Sequence, residues 1–231
     1  WSDGGAPIEA MAATAIALGH DYMVQTDHSA RLTVAHGLNE QRLTEQLDQI
    51  AAINADVAAA GHDFRILAGM EVDILEDGSL DLADHMLERL DVVVASVHSK
   101  LRMERQQMTE RMLMAVASPH VDILGHCTGR MIGKRPPSEF DADYVFAACA
   151  RFGTAVEINC RPERLDPPRE LLDVAIEYGC WFSIDSDAHA TGQLEWQPLG
   201  CDRAAERGVP IERIINTLSA DDLLAWTAEA A

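Results

Sequence analysis

The chain has 231 residues, enough to bury a full hydrophobic core in one α/β barrel or in two small domains. Hydrophobic residues make up 48% of it, which excludes a disordered chain, and no apolar run reaches the roughly 18 residues of a membrane span. Asp and Glu number 38 against 18 Lys and Arg, and the resulting net charge of −20 argues against independent binding of nucleic acid.

Short apolar runs rich in β-branched residues alternate with longer helical patterns. Strands are predicted at Tyr22–Thr26, Arg65–Val72, Val92–Ser96, Asp122–Gly125, Ala155–Asn159 and Trp181–Asp185. Helices are predicted at Ile8–Leu18, Glu40–Ala60, Leu82–Leu90, Arg105–Ser118, Asp141–Phe152, Pro168–Tyr178, Ile211–Leu218 and Asp221–Ala230. This alternation, without a Gly/Ser-rich linker, predicts a single domain over residues 1–231 with a parallel sheet that closes, or nearly closes, into a barrel.

Histidines and carboxylates follow the ends of the predicted strands. They are Asp27, His28, Glu71, Asp73, His98, His126, Glu157, Asp187 and His189. Because the carboxyl ends of parallel strands share one mouth of a barrel, we expect these side chains to converge. Packing alone explains such a set poorly, since buried charges need partners. Mixed imidazole and carboxylate ligands favour Zn, Mn or Fe, and their number predicts two to three divalent ions.

A second group of side chains near the strand ends is basic or amide-bearing. The predicted substrate-binding residues are Lys100, Arg130, Asn159, Arg161 and Arg164. Arginine recognises phosphate through paired hydrogen bonds, so this gathering in an acidic chain predicts a phosphate site. The alternative is ordinary solvated loop charge, which fits less well for the three arginines because they lie nearest to the ligand motifs.

The cysteines indicate a reducing environment. They form an odd set without a C-x-x-C pair: Cys127, Cys149, Cys160, Cys180 and Cys201. A reduced cytoplasmic protein explains this set better than a disulfide framework does, and no signal peptide or membrane segment is expected.

The order of the motifs resembles the polymerase and histidinol phosphatase (PHP) superfamily. The motifs are Trp1-Ser2-Asp3-Gly4, Thr26-Asp27-His28-Ser29, Gly69-Met70-Glu71, Ser96-Val97-His98, Gly125-His126 and Asp187-Ala188-His189. Further motifs resemble the C-terminal PHP module of bacterial family X DNA polymerases and their polymerase-less relatives: Thr128-Gly129-Arg130, Glu157-Ile158-Asn159, Arg164-Leu165-Asp166 and Gly192-Gln193-Leu194. The resemblance implies a distorted (β/α)7 barrel with up to three metal ions, Mn or Zn, with Fe as an alternative.

The resemblance also implies roles for individual residues. Glu71 would bridge two ions, and His98 and His126 would complete the shell of the second. Asp187 would help to hold the first ion. These four residues would form the catalytic centre.

Two further implications concern the third ion and the first strand. Asp3, His28 and His189 would hold the third ion. The family opens with an H-x-H pair on a first strand, and the printed sequence does not contain this motif, so we expect six of the seven strands. The first metal site would then keep only Glu71 and Asp187.

The implied reaction is hydrolysis of a phosphate ester by metal-activated water. In the family X branch the substrate is a DNA 3′ end, cleaved by a 3′-5′ exonuclease or 3′-end phosphoesterase. In the other branch it is histidinol phosphate or a similar small monoester. The close motifs favour DNA, whereas the net charge of −20 opposes it unless an upstream DNA-binding domain assists. A third hypothesis is a non-catalytic structural module with a degraded metal site.

Overall fold

A computed structural model describes residues 1–230 of the chain. Six parallel strands form one sheet in the chain order β1-β2-β3-β4-β5-β6. They are β1 (Tyr22–His28), β2 (Arg65–Asp73), β3 (Val92–Ser96), β4 (Ile123–Leu124), β5 (Ala155–Asn159) and β6 (Phe182–Asp185). All six predicted strands are present, and the predicted α/β architecture is confirmed. β4 is shorter than predicted and keeps only two residues in the ladder.

Helices connect the strands and cover the outer face of the sheet. They are α1 (Ile8–Leu18), α2 (Glu40–Ala59), α3 (Asp84–Leu87), α4 (Arg105–Val116), α5 (Ala142–Phe152), α6 (Arg169–Glu177), α7 (Gln197–Arg207) and α8 (Ala220–Ala230). Helix α3 is a single turn, shorter than the predicted Leu82–Leu90. Within residues 1–230, no helix has the length and apolar character needed to cross a membrane.

The predicted helix Ile211–Leu218 is wrong. This segment forms two 3₁₀ turns, and the backbone at Ile214 between them is extended. Ile214 pairs in parallel with Phe182 on β6. The Asn216 amide accepts from the backbone N–H of Ile184 at 2.6 Å and donates to its carbonyl at 3.0 Å. Pairing with the sheet edge therefore overrides the helical spacing of the apolar residues.

Helix α7 was not predicted, because Pro198 and Gly200 interrupt its sequence. Pro198 lies in the first turn, where its missing N–H has no helical partner to lose. Gly200 packs against β5 and β6: a Cβ at this position would lie 2.4 Å from Cys160 Sγ and 2.7 Å from Ile184 Cγ2. Close packing against the sheet, and not helix propensity, determines this segment.

The middle of the sheet is rigidly packed. Every residue of β3 and β5 is buried, as expected for parallel strands covered on both faces. The largest apolar cluster joins α4, α5 and α6 to the strands through residues such as Met112, Phe146 and Phe182. The ends of these strands are therefore firm attachment points for polar side chains.

The sheet forms a half-barrel that is open between β1 and β6. Among residues 1–230, β1 pairs in the sheet with β2, and β6 pairs with β5. A cleft of about 590 Å³ separates the two open strands and is lined by Tyr22, Gln25, Ser183 and Asp185. The cleft extends to the C-terminal strand ends.

Candidate metal centre

Neighbouring strands bring the predicted ligands together at the C-terminal end of the sheet. His28 on β1 lies in register with Glu71 on β2. His98 follows β3 by two residues, and His126 follows β4 by two. Gly125 allows the chain before His126 to approach β3 closely, because a Cβ there would lie 2.2 Å from the Ser96 hydroxyl.

The first ligand cluster consists of Glu71, His98 and His126, and we call it the strand-end group. Glu71 Oε1 lies 3.2 Å from His98 Nε2 and 3.4 Å from His126 Nε2. The two Nε2 atoms are 3.2 Å apart. Ligand atoms about 2.0–2.1 Å from an ion in tetrahedral directions lie about 3.3–3.4 Å from one another. The three atoms are therefore spaced as ligands of one ion.

Two carboxylates support the imidazoles of the strand-end group from behind. His98 Nδ1 lies 3.1 Å from Asp73 Oδ1, and His126 Nδ1 lies 3.3 Å from Glu157 Oε2. Both carboxylates are buried. Such contacts hold the Nδ1–H tautomer and leave Nε2 free to bind a metal, and at His98 the Asp73 carboxylate also raises the pKa of the imidazole.

The strand-end group concentrates titratable side chains in one space. Burial lowers the pKa of His98, but Glu71 and Asp73 raise it to about 9. Burial lowers the pKa of His126 to about 4, with help from Arg164. Burial raises the pKa of Glu71, yet the two histidines hold it well below its usual range. Such shifts are typical of functional sites.

Two buried atoms at the centre lack hydrogen-bond partners within residues 1–230. They are Glu71 Oε1 and His28 Nδ1. Glu71 Oε1 lies within 3.4 Å of two imidazole nitrogens, and His28 Nδ1 lies 3.2 Å from Glu71 Oε2, but neither contact has hydrogen-bond geometry. A cation shared between these groups would satisfy both atoms.

The second ligand cluster consists of Asp3, His28 and His189, and we call it the loop group. One ligand atom from each lies within 4.8 Å of the others. Asp3 Oδ1 is 3.7 Å from His28 Nε2, and Asp3 Oδ2 is 3.5 Å from His189 Nε2. The hydrogen bond with the Asp3 carboxylate raises the pKa of His189 to about 9. This group also suits a divalent ion, although it is more exposed than the first.

Asp187 lies outside both clusters. Its Oδ2 is 3.1 Å from Arg164 Nε and 3.2 Å from Asn159 Nδ2. Its Oδ1 is 3.6 Å from His189 Nδ1. The backbone at Asp187 is left-handed, with φ of 50°, which is uncommon for a residue other than glycine. The structure thus places this predicted ligand between the loop group and a guanidinium.

The predicted phosphate-binding residues divide into two kinds. Arg161 and Arg164 reach the centre, since both contact Asp187, and Arg164 Nη1 is buried without a hydrogen-bond partner in residues 1–230. Arg130 instead donates from Nε to the carbonyl of Arg164 at 2.9 Å. This hydrogen bond supports the loop that carries Arg164. Lys100 is exposed, on a left-handed backbone with φ of 54°.

The roles of Asp73 and Glu157 were not predicted, although the sequence contains a signal for one of them. Side chains alternate along a strand, so Asp73 shares a face with Glu71, two residues earlier on β2. Glu157 is among the carboxylates expected at the shared mouth, but its position inside β5 does not indicate which side chain it contacts. Only the three-dimensional arrangement pairs it with His126.

Comparisons with known proteins identify the relatives of this chain. No protein-family model matches it. It is 39% identical over 226 residues to the DNA polymerase/3′-5′ exonuclease PolX of Bacillus subtilis, a match that covers 98% of this chain and 39% of that protein. It is 30% identical over 137 residues to an Aliivibrio fischeri protein named "Probable phosphatase", covering 55% of this chain and 53% of that protein. The chain is related to the PHP superfamily.

A solved structure supports the PHP-type fold. The crystal structure of histidinol phosphate phosphatase from Lactococcus lactis, complexed with zinc, L-histidinol and phosphate, matches with a TM-score of 0.58. The match covers 90% of this chain and 89% of that chain at 16% sequence identity. At 16% identity the similarity is one of fold alone, and it confirms the predicted fold class.

Proposed function

We propose that the chain is a metal-dependent phosphoesterase that acts on DNA 3′ ends. The observation that carries the proposal is the spacing of Glu71, His98 and His126, whose ligand atoms lie 3.2–3.4 Å apart at one end of a parallel sheet. The names of its PHP-superfamily relatives, an exonuclease and a phosphatase, support hydrolysis of phosphate esters. The match to PolX over 98% of the chain favours the DNA substrate.

The donor sets fit two divalent ions, and a third would need ligands beside Asp187. Glu71 connects the sets, because Oε1 faces the strand-end imidazoles and Oε2 lies 3.2 Å from His28 Nδ1. Nitrogen and oxygen donors together suit Mn or Zn, with Fe as an alternative. The zinc in the Lactococcus lactis structure supports this class of metal.

Divalent ions in these groups would polarise the phosphoryl oxygens and activate the attacking water. The protein side chains provide orientation. Arg164 and Arg161 lie beside Asp187, where their guanidinium groups can bind phosphate oxygens in pairs. Asp73 and Glu157 fix the imidazoles of His98 and His126 with Nε2 directed inward.

The cleft between β1 and β6 is the proposed place of the H-x-H strand that the family resemblance implies. β1 and β6 are the two terminal strands of the sheet of residues 1–230, and the outer edge of β6 is contacted by Ile214 at Phe182 and by Asn216 at Ile184. Glu71 and Asp187 line the same cleft, so ligands from such a strand would meet them there. On this proposal residues 1–231 form a PHP metal-dependent phosphoesterase domain.

A small phosphomonoester is the second candidate substrate. The net charge of −20 favours it, because a polyanionic strand is repelled more strongly than a single phosphate group. An upstream DNA-binding domain would offset this repulsion for a DNA 3′ end.

The test compares Mn-supplemented protein on a single-stranded DNA 3′ end and on histidinol phosphate. We expect hydrolysis of the DNA end and its loss in His98→Ala. His85→Ala is the matched control, because His85 is exposed and its nearest partner is Glu40 at 3.7 Å. Activity on neither substrate, with a chain that includes an H-x-H strand, would overturn the proposal. A metal content that His98→Ala leaves unchanged would instead support a non-catalytic module.

A further inference from the structure

Asp27 is a buried carboxylate that the proposed reaction does not use. It is only 6% exposed. Its Oδ1 accepts from the backbone N–H of Ser2 at 2.8 Å and from the Ser2 hydroxyl at 2.6 Å. Its Oδ2 accepts from Gln25 Nε2 at 2.7 Å and from Gln46 Nε2 at 2.6 Å. All four donors are neutral, so the carboxylate has hydrogen bonds but no counter-ion among them.

Helix α2 reinforces this attachment of residues 1 and 2. Arg42, Gln46 and Gln49 are spaced by four and three residues and therefore share one face of the helix. Arg42 donates to the carbonyl of Trp1, and the indole N–H of Trp1 donates to Gln49 at 2.8 Å. One helix face and one strand end thus hold the segment immediately before Asp3.

The other end of the segment is tied to the loop group. The backbone N–H of Gly5 donates to the carbonyl of His189 at 2.6 Å. Asp3 lies between these two attachments, with 39% of its side chain exposed. A carboxylate on an exposed loop would otherwise lose conformational entropy when it binds an ion. The attachments remove much of that freedom in advance.

We propose that Asp27, supported by Gln46, is a positioning residue that holds Asp3 for an ion bound by Asp3, His28 and His189. The inference rests on the proposed function, because it requires the loop group to bind a divalent ion. Side chains alternate across a strand, so His28 and Asp27 serve different faces of β1. The end of β1 thus supplies His28 as a ligand and, from the preceding residue, Asp27 as the anchor of the segment that carries Asp3.

Calorimetric titration of the full chain with Mn²⁺ tests the inference. We expect Asp27→Ala to weaken the weakest class of Mn²⁺ site by roughly 10- to 100-fold, the usual effect of removing a group that supports a metal ligand. Asp27→Asn keeps an oxygen that can accept from Ser2, so it should recover most of the affinity. Ser2→Ala removes one hydrogen bond and should weaken the same site by a smaller factor. If Asp27→Ala does not fold, Ser2→Ala alone tests the inference.

Asn54→Ala is the matched control for stability. Asn54 also projects from α2, and its amide pairs with the backbone N–H and carbonyl of Ile66, both at 2.8 Å, away from the ligands. This variant should lower the melting temperature and leave Mn²⁺ affinity unchanged. If both Asp27→Ala and Ser2→Ala keep the Mn²⁺ affinity of the wild type, the inference is overturned but the proposed function is not. A wild-type chain that binds no Mn²⁺ would overturn the proposed function as well.

Discussion

The two ends of the parallel sheet bury carboxylates in different surroundings. At the C-terminal end, Glu71, Asp73 and Glu157 all lie against imidazole nitrogens. At the N-terminal end, Asp122 is 7% exposed and accepts from the backbone N–H of Val93 at 2.7 Å. At the C-terminal end Asp73 and Glu157 contact an imidazole as well as a backbone N–H, whereas the contact of Asp122 at the other end is with the backbone.

The electrostatic consequences differ between the two ends. Burial raises the pKa of Asp122 to about 7, because the carboxylate loses its contact with water and the hydrogen bond from Val93 N–H offsets only part of that loss. Burial also raises the pKa of Glu71, but His126 and His98 more than reverse the effect. Glu71 therefore stays ionised under conditions in which Asp122 favours the neutral form, whereas burial, Asp187 and Glu71 raise the pKa of Glu157 well above its usual range.

Removing the shared ligand should have the largest effect on catalysis. Glu71→Gln replaces a carboxylate whose two oxygens face the two ligand groups with a neutral amide of similar size. We expect bound metal to fall and the rate of phosphoester hydrolysis to drop by at least about 100-fold. Elemental analysis and a rate assay measure the two quantities. Glu76→Gln, at an exposed position after the same strand, should change neither, and equal losses in both variants would contradict the proposed site.

The sequence was sufficient to predict the convergence of His28, Glu71, His98 and His126, because parallel strands in sequential order force their ends together. It could not predict the pairing of His98 with Asp73. That contact depends on a turn after β3 that brings both the ring and the backbone N–H of His98 to the Asp73 carboxylate. Alternation along β2 indicates the face of Asp73 but not its partner.

The C-terminal third was less predictable, for a related reason. In α7, Gly200 reads as a helix breaker, yet it is the residue that lets the helix approach Cys160 and Ile184. Asn216 reads as part of a helix, yet its amide pairs with the edge of β6. Contacts distant in sequence decide both segments, and local propensity cannot express them.

The supporting carboxylates should have the next largest effect. Asp73→Asn and Glu157→Gln replace the carboxyl groups behind His98 and His126 with amides while keeping the shape of each side chain. We expect roughly 10- to 100-fold weaker binding of Mn²⁺ in each variant. Titration calorimetry checks this, with Asp77→Asn as an exposed control. Unchanged affinity would reduce both residues to the structural role that Asp122 has at the other end.

A smaller effect is expected from the arginine beside Asp187. Arg164→Lys keeps the charge but loses the paired geometry that suits phosphate. We expect KM for the phosphoester to rise about 10-fold, in line with the 1.5–3 kcal/mol or so of a hydrogen bond to a charged group. Steady-state kinetics measure it. Arg169→Lys is the control, because Arg169 is exposed and pairs with Glu206. A rise in KM of the same size in the control would show that general surface charge, and not Arg164, binds the substrate.

The smallest effect on catalysis is expected at the N-terminal end of the sheet, where pH should act on stability. The folded-state pKa of Asp122 is raised from 3.8 to about 7, so the folded chain holds this proton more tightly than the unfolded chain does. The contribution of Asp122 to stability is fully present below about pH 4 and is lost as the pH rises to about 7.

Asp122→Asn removes the titration and keeps an oxygen for Val93 N–H. Between about pH 5 and about pH 8, the variant should gain on the order of 2 kcal/mol relative to the wild type, with hydrolysis rates unchanged. Urea unfolding at the two pH values measures the difference. A constant difference would show that Asp122 stays ionised when folded, and the contrast between the two ends would then lose its electrostatic basis.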